Sequence, residues 1–181
     1  MIGYVISFLS DGFWFIGWFF PVYVFLRIFV LRDRYKATLA DRISAEREVV
    51  MAGLFFYLVM LFTQTFVVNV GSSSIELVPL RVIVTEFLEI WTTDYGLRAF
   101  LFNIAGNIAV FIPIGFMFAY LFGYDWKKAA LNGMCLSVFI EVVQIPLERT
   151  TDIDDVILNT SGTLLGCLIC QELKKRAVCQ R

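Results

Sequence analysis

The sequence contains no histidine and few charged residues. Of its 181 residues, 17% are charged, against about 25% in a typical soluble domain. The absence of histidine excludes a histidine general base, a Ser/His catalytic pair and a His-ligated metal site. The net charge of −1 gives no reason to expect a nucleic acid as a partner.

The sequence is instead rich in apolar residues. Hydrophobic residues make up 59% of the chain and aromatic residues 17%, with 19 Phe among them. A soluble domain of this length could not bury that much apolar surface, so we expect lipid to cover it. The composition predicts an all-α, polytopic membrane helix bundle that forms a single membrane domain over residues 1–181.

Long apolar stretches set the number of membrane spans, since a bilayer core needs about 20 apolar residues per helix. The sequence predicts about five transmembrane helices, at residues 12–31, 49–70, 97–122, 129–147 and 156–173. Lys and Arg concentrate in the first and third connections and in the C-terminal tail. Positively charged loops favour the cytoplasmic side, so we predict an outer N-terminus and a cytoplasmic C-terminus.

The second connection, residues 71–96, is long and is predicted to lie outside. Apolar residues recur in it at helical spacing, and a polar face that includes Arg81 lies opposite them. The apolar positions are Leu80, Ile83, Val84, Phe87 and Trp91. This pattern predicts an interfacial helix at the outer membrane surface. A plain extracellular loop is the alternative.

Polar residues inside the last three spans are costly in lipid and usually face the interior of a bundle. Steps of three or four residues place the polar groups of each span on one helix face. In the predicted orientation these faces share the outer half of the membrane, and they predict an outward-facing polar cleft. Its members are Asn103, Asn107, Glu141, Gln144, Arg149, Asp152, Asp154, Asp155 and Asn159, with Arg81 from the interfacial helix.

The same residues have a purely structural interpretation. The amides could form a hydrogen-bond network that locks the bundle together. Asp152 or Asp154 could cap the fifth span. Glu141 is harder to explain in this way, because a carboxylate in a span needs a cation, a proton or a metal. Arg149 and Arg81 are the candidate cationic partners.

Smaller motifs concern packing. Gly162 and Gly166 form a GxxxG, which predicts the close approach of two helices. Cys167 and Cys170 form a CxxC inside an apolar stretch, for which we prefer a packing role to a redox or metal role. Pro113 is predicted to kink the third span.

Several of these segments together resemble the VanZ-like membrane protein family over about residues 50–172, the predicted core. The N-x-x-x-N and F-x-P-x-G elements are residues 103–107 and 111–115, and E-x-x-Q is residues 141–144. R-x-x-D-x-D-D is residues 149–155, and N-x-x-G-x-x-x-G is residues 159–166. Glu76 departs from the family pattern, which usually has Asn at this position.

The resemblance implies a multi-pass protein of the bacterial plasma membrane that lowers susceptibility to lipoglycopeptide antibiotics such as teicoplanin. Its expected partners are membrane lipid and a lipoglycopeptide or a lipid-linked peptidoglycan precursor. One alternative is a metal-assisted enzyme acting on a lipid-linked cell-envelope substrate. Another is a small transporter or proton relay that uses Glu141. We expect no cofactor, and we assign no metal ligand.

The predicted orientation can be tested by cysteine labelling. Because Ser73 lies in an outer connection and Thr38 in an inner one, Ser73→Cys should react with a membrane-impermeant thiol reagent on intact cells and Thr38→Cys should not. The parent chain, with its four native cysteines, sets the background. The reverse labelling pattern would move the polar cleft to the cytoplasmic side.

Overall fold

The structure is a computed structural model that describes residues 17–30, 45–67, 75–147 and 151–179. The chain divides into two compact units, Met1–Val68 and Asn69–Arg181. Thr38 and Ser73, the positions chosen for labelling, lie outside the described residues.

The first unit contains two helices, α1 (Gly17–Val30) and α2 (Ala45–Val67). Aromatic rings join them, since Tyr23 lies 5.1 Å from Phe55, centroid to centroid. Arg27 donates to both carboxylate oxygens of Glu48, and its Nε lies 2.5 Å from Oε2. Such a bidentate pair gives α1 and α2 a fixed register.

The second unit is a bundle of three long helices with a short helix and a two-stranded ladder at one end. In chain order its elements are β1 (Ile75–Glu76), α3 (Arg81–Glu89), α4 (Gly96–Phe100), a π-helical turn (Leu101–Ala105), α5 (Gly106–Phe122), α6 (Trp126–Gln144), a 3₁₀ turn (Ile145–Leu147), β2 (Thr151–Asp152) and α7 (Ile153–Cys179). α4, the π-helical turn and α5 form one continuous helix, Gly96–Phe122. Only its hydrogen-bond pattern changes, at the π turn.

The ends of these helices follow from local sequence. The Asp125 side chain accepts the Lys128 N–H at 2.8 Å and so caps the start of α6. Pro146 lies in the 3₁₀ turn where α6 ends, because proline lacks the N–H that would continue the helix. Gly123 ends α5 in the left-handed conformation, at φ 65°.

Three helices among the described residues are long and apolar enough to cross a membrane: Gly96–Phe122, Trp126–Leu147 and Ile153–Ala177. They coincide with the third, fourth and fifth predicted spans and confirm a largely helical protein with three long apolar helices. The described part of α1 is shorter than a span, and α2 is not one of the three helices, so the total of five remains a prediction.

The second connection holds a helix, as predicted, but also a feature that the sequence did not predict. α3 occupies residues 81–89. Before it, β1 pairs with β2 as a parallel ladder, with Ile75 opposite Thr151 and Glu76 opposite Asp152. The expectation of an all-α fold therefore misses this two-residue ladder, whose strands are too short to show an alternating pattern.

Glycines let α5 and α7 approach until their backbones touch. A Cβ at Gly162 would overlap the Ile108 carbonyl oxygen, and one at Gly166 would overlap that of Ile112. From the α5 side, Gly115 lies against the Thr163 backbone in the same way. The predicted close contact at the GxxxG is confirmed, and its partner helix is α5.

The CxxC is part of the core of the second unit. Cys167 and Cys170 are free and buried, and they pack with Ala119 and Ala129. This packing role is the one expected for small apolar side chains in a helix interface.

The helix contact predicts a sharp difference between glycines. Gly166→Ala should destabilise the bundle by roughly 1–3 kcal/mol or more, because its Cβ must displace the backbone of α5. Gly106→Ala is the matched control, since the nearest atom to its Cβ, the Leu101 oxygen, is 3.8 Å away. Melting temperatures in detergent measure both, and equal values would contradict the close contact.

Candidate functional site

Polar side chains gather at one end of the second unit. This end contains the start of the α4–α5 helix, the end of α6, the start of α7 and the whole of α3. The described cleft residues lie at this end because the chain reverses direction between consecutive helices. The structure thus brings together side chains that are up to 78 residues apart in the sequence, from Arg81 to Asn159.

Asp154 joins α7 to the start of α3. Its Oδ1 accepts the Leu80 N–H at 2.5 Å, and its Oδ2 accepts those of Val82 and Ile83 at 2.9 and 3.2 Å. These are N–H groups at a helix start, which lack partners inside the helix and favour a negative charge. Asp154 is therefore a helix cap, as one interpretation of the sequence proposed, but it caps α3 and not α7.

The turn before α3 brings these N–H groups to Asp154. Leu80 has a positive φ of 66° and ψ of 2°, and the Arg81 N–H bonds to the Val78 carbonyl across the turn. This geometry at Leu80, with Pro79 before it, is that of a type II turn, whose third position usually holds glycine. The left-handed conformation costs a leucine about 1–2 kcal/mol, which the bonds to Asp154 offset.

Asp152 caps α7 itself. Its Oδ1 accepts the Asp154 N–H at 2.8 Å, and its side chain is buried. Burial raises the pKa of Asp152, and the negative charges of Asp154 and Glu76 raise it further, while the bond from the Asp154 N–H opposes the shift. The ionised form of Asp152 is thus disfavoured in the folded protein.

Arg81 lies at the rim of this cluster and not inside it. Its Nη1 lies 2.9 Å from Glu76 Oε2, and its side chain is mostly exposed. Glu76 is in turn the neighbour of Asp152 in the β1–β2 ladder. The position at which the sequence departs from the family pattern is therefore occupied by the ion-pair partner of Arg81.

Glu141 joins the end of α6 to the start of α7. Its Oε2 accepts the Asp152 N–H at 3.1 Å, and its backbone carbonyl accepts the Thr151 hydroxyl at 3.5 Å. The side chain is 6% exposed. Arg149, its predicted cationic partner, lies outside the described residues.

Two amides on the α4–α5 helix bond to acids on two different elements. Asn103 donates to Glu86 on α3, and Asn107 donates to Asp155 on α7, each at 2.5 Å. Asn103 lies within the π-helical turn, which rotates it relative to the next turn of helix. π turns of this kind are frequent at functional sites.

Asn159 extends the polar cluster one turn deeper. Its Nδ2 donates to the Ser137 hydroxyl on α6 at 2.8 Å. Thr163 donates to the Asn159 carbonyl at 2.9 Å, and all three residues are buried. Asn159 therefore takes part in an interhelical hydrogen-bond network, as the structural interpretation of the sequence proposed.

Three buried oxygens in the described part of the chain nevertheless have no hydrogen-bond donor. They are Glu86 Oε2, Gln144 Oε1 and Asn159 Oδ1. A buried acceptor without a donor costs about 1–3 kcal/mol. These three acceptors lie on three different helices, α3, α6 and α7, and each could accept a hydrogen bond from a bound molecule.

Sequence reasoning missed Glu86. The predicted interfacial helix has its apolar residues toward the membrane, and Val84, Phe87 and Trp91 are exposed, Trp91 to 81%. Glu86 is buried instead, three residues after Ile83 and four before Ile90. Its helical spacing from these two isoleucines was the available signal.

The acids at this end do not form an obvious metal centre. Within the described ranges, no group of three or more Asp, Glu or Cys side chains is arranged to hold a metal ion. What the arrangement does offer is a set of buried acceptors and carboxylates beneath an amphipathic helix. Such a set binds donors or cations.

The capping role of Asp154 can be tested by proteolysis and melting. Asp154→Ala should leave three N–H groups of α3 without an acceptor, which we expect to cost about 2 kcal/mol or more and to expose residues 75–95 to protease. Asp125→Ala is the matched control, because it removes an exposed cap of α6 only and should cost about 1 kcal/mol. Equal protease sensitivity of the two variants would show that the bonds of Asp154 do not hold α3 against the bundle.

Comparison with known proteins gives the family of this chain. The model of the VanZ/LLP1 family matches residues 48–174, a segment that contains the three apolar helices, α3 and every described residue of the cluster. No curated protein and no solved structure matches the chain. The apolar helices and the family together indicate a membrane protein, and the chain belongs to the VanZ/LLP1 family.

Proposed function

We propose that this protein lowers the susceptibility of bacteria to lipoglycopeptide antibiotics such as teicoplanin, by binding an amphiphile in a polar cleft at the outer face of the plasma membrane. The amphiphile is the lipoglycopeptide itself or the lipid-linked peptidoglycan precursor that it targets. The observation that supports this most is the set of buried, donor-free oxygens at one end of the bundle, directly beside an exposed apolar helix.

The surface around the cluster suits a molecule with one polar and one apolar end. α3 presents Val84, Phe87 and Leu88 on its exposed side and Glu86 on its buried side. A helix with such faces lies well at the boundary between headgroups and acyl chains. The polar end of an amphiphile would enter the cluster while its acyl chain stays in lipid.

The cleft would work from the outer side. The positive charges of the sequence put the start of the α4–α5 helix, the end of α6 and the start of α7 outside. Glu141, Asp152 and Asp155 would then face the outer leaflet, where lipoglycopeptides meet their target. Arg81, exposed at the rim, would contact anionic groups of the ligand.

The two alternatives have less support. Metal-assisted hydrolysis needs several oxygen ligands around one ion, and the described acids are not so arranged. Transport needs a polar path through the bundle. Below Thr163 the buried positions of α7 are Gly166, Cys167 and Cys170, and the two cysteines pack against alanines.

Substitution of Glu141 separates a binding role from a structural one. Glu141→Gln retains an oxygen to accept the Asp152 N–H and removes only the charge. If Glu141 were one half of a buried ion pair, its loss would cost roughly 3–5 kcal/mol. We expect instead that stability holds or rises while protection is lost, because functional sites sacrifice stability for activity. Asp155→Asn should behave likewise.

The measurements are the melting temperature in detergent and the teicoplanin susceptibility of expressing cells. Glu172→Gln serves as the control, since this exposed residue of α7 pairs only with Lys175 and Arg176 among the described residues and should leave both unchanged. A Glu141→Gln protein that reaches the membrane and protects cells as well as the parent does would refute the proposed site.

A further inference from the structure

The donor-free oxygens of the cluster are all of one chemical kind. Glu86, Gln144 and Asn159 come from three helices, and each leaves an oxygen acceptor unpaired. Among the described residues, no buried side-chain nitrogen or hydroxyl is left without a partner. A group bound at any of these oxygens must donate a hydrogen bond to it.

Glu86 adds a requirement for positive charge. It is 8% exposed, and Asn103, which donates to its other oxygen, is neutral. Within the described residues, no ion pair includes Glu86 or Asp155. The charges of Asp152, Asp154 and Glu86 all act on Asp155. Burying so many acids together is costly unless protons or a cation neutralise their charge.

We propose that Glu86, together with Asp155, binds the alkylammonium group of an amphiphile. This assignment rests on the proposed function and names the chemical class of the polar end. An ammonium group has three N–H donors and no acceptor, which matches acceptor oxygens that lack donors. A divalent metal would need about six to eight oxygen ligands, more than this pair of carboxylates supplies.

The surroundings of Glu86 suit the rest of such a molecule. Phe87, the next residue, places its ring centroid 6.2 Å from that of Phe100, and Phe100 lies one turn before Asn103 in the sequence. An apolar edge thus borders the Glu86–Asn103 pair. An alkyl chain would leave the cluster along this edge and along the exposed Val84 and Leu88.

Two sources could supply the ammonium group. One is an ethanolamine headgroup of a membrane lipid, and the other is an amino group in the peptide part of a lipoglycopeptide. Both present the same N–H donors to the same oxygens, so the cluster alone does not distinguish them. Competition between the two sources does.

Retention of defined amphiphiles tests the assignment. The full chain, in nanodiscs of phosphatidylcholine, is exposed to equal amounts of dodecylammonium, dodecanol and dodecyl phosphate, and the bound amphiphile is measured by native mass spectrometry. We expect dodecylammonium to be retained at least about tenfold over dodecanol, as one charged hydrogen bond predicts. Equal retention of the two, or selective binding of Mg²⁺ without dodecylammonium, would overturn the assignment.

Two variants of α3 test whether the carboxylate of Glu86 is the group that binds the ammonium. Glu86→Gln keeps an acceptor for Asn103 and should lose the preference for dodecylammonium, while its melting temperature holds or rises. Glu89→Gln removes the same charge three residues away and should keep the preference. Preference retained in Glu86→Gln, or lost equally in both variants, contradicts a role for Glu86.

Competition and cell assays separate this inference from the function on which it rests. Displacement of dodecylammonium by phosphatidylethanolamine identifies the lipid source, displacement by teicoplanin identifies the antibiotic, and displacement by neither counts against the assignment. If Glu86→Gln loses ammonium binding but still protects cells, the inference stands and the proposed function fails. If Glu141→Gln loses protection while the parent shows no ammonium preference, the function stands and the inference fails.

Discussion

The second unit depends on the close approach of α5 and α7. Gly162 and Gly166 put the α7 backbone against the carbonyls of Ile108 and Ile112, and only residues without a Cβ allow this. The contact fixes the height of α7 relative to α5. Asn107, the residue before Ile108, meets Asp155, which lies about two turns before Gly162 on α7, so the polar cluster is a consequence of this packing.

The same register determines where α3 lies. With α7 held in place, Asp154 presents its carboxylate to the N–H groups at the start of α3, and Asn103 reaches Glu86 from the neighbouring helix. The β1–β2 ladder adds a third attachment next to Asp152. A nine-residue helix would be marginal alone, and these long-range polar contacts are what stabilise it against the bundle.

Periodicity and hydropathy were enough to predict the three long helices, because each needs only apolar length and a turn to be recognised. They also predicted which polar residues share an end of the bundle, since that follows from helix direction. The partners could not be predicted. The sequence left open whether Asp152 or Asp154 caps the helix that begins there. The bonds of Asp154 to residues more than 70 positions away depend on a turn at Leu80, whose positive φ leucine rarely adopts.

Glu86 shows the same limit more clearly. The sequence pattern predicts an interfacial helix whose apolar residues face the membrane, and it does not indicate which polar residue of that helix the protein buries. In the structure Val84, Phe87 and Trp91 are exposed, and the protein interior receives the Glu86 carboxylate. A buried acid held by one neutral amide, with its second oxygen free, contributes nothing evident to stability. An acid buried at such a cost is a candidate for a binding role, and the proposal for Glu86 rests on this argument.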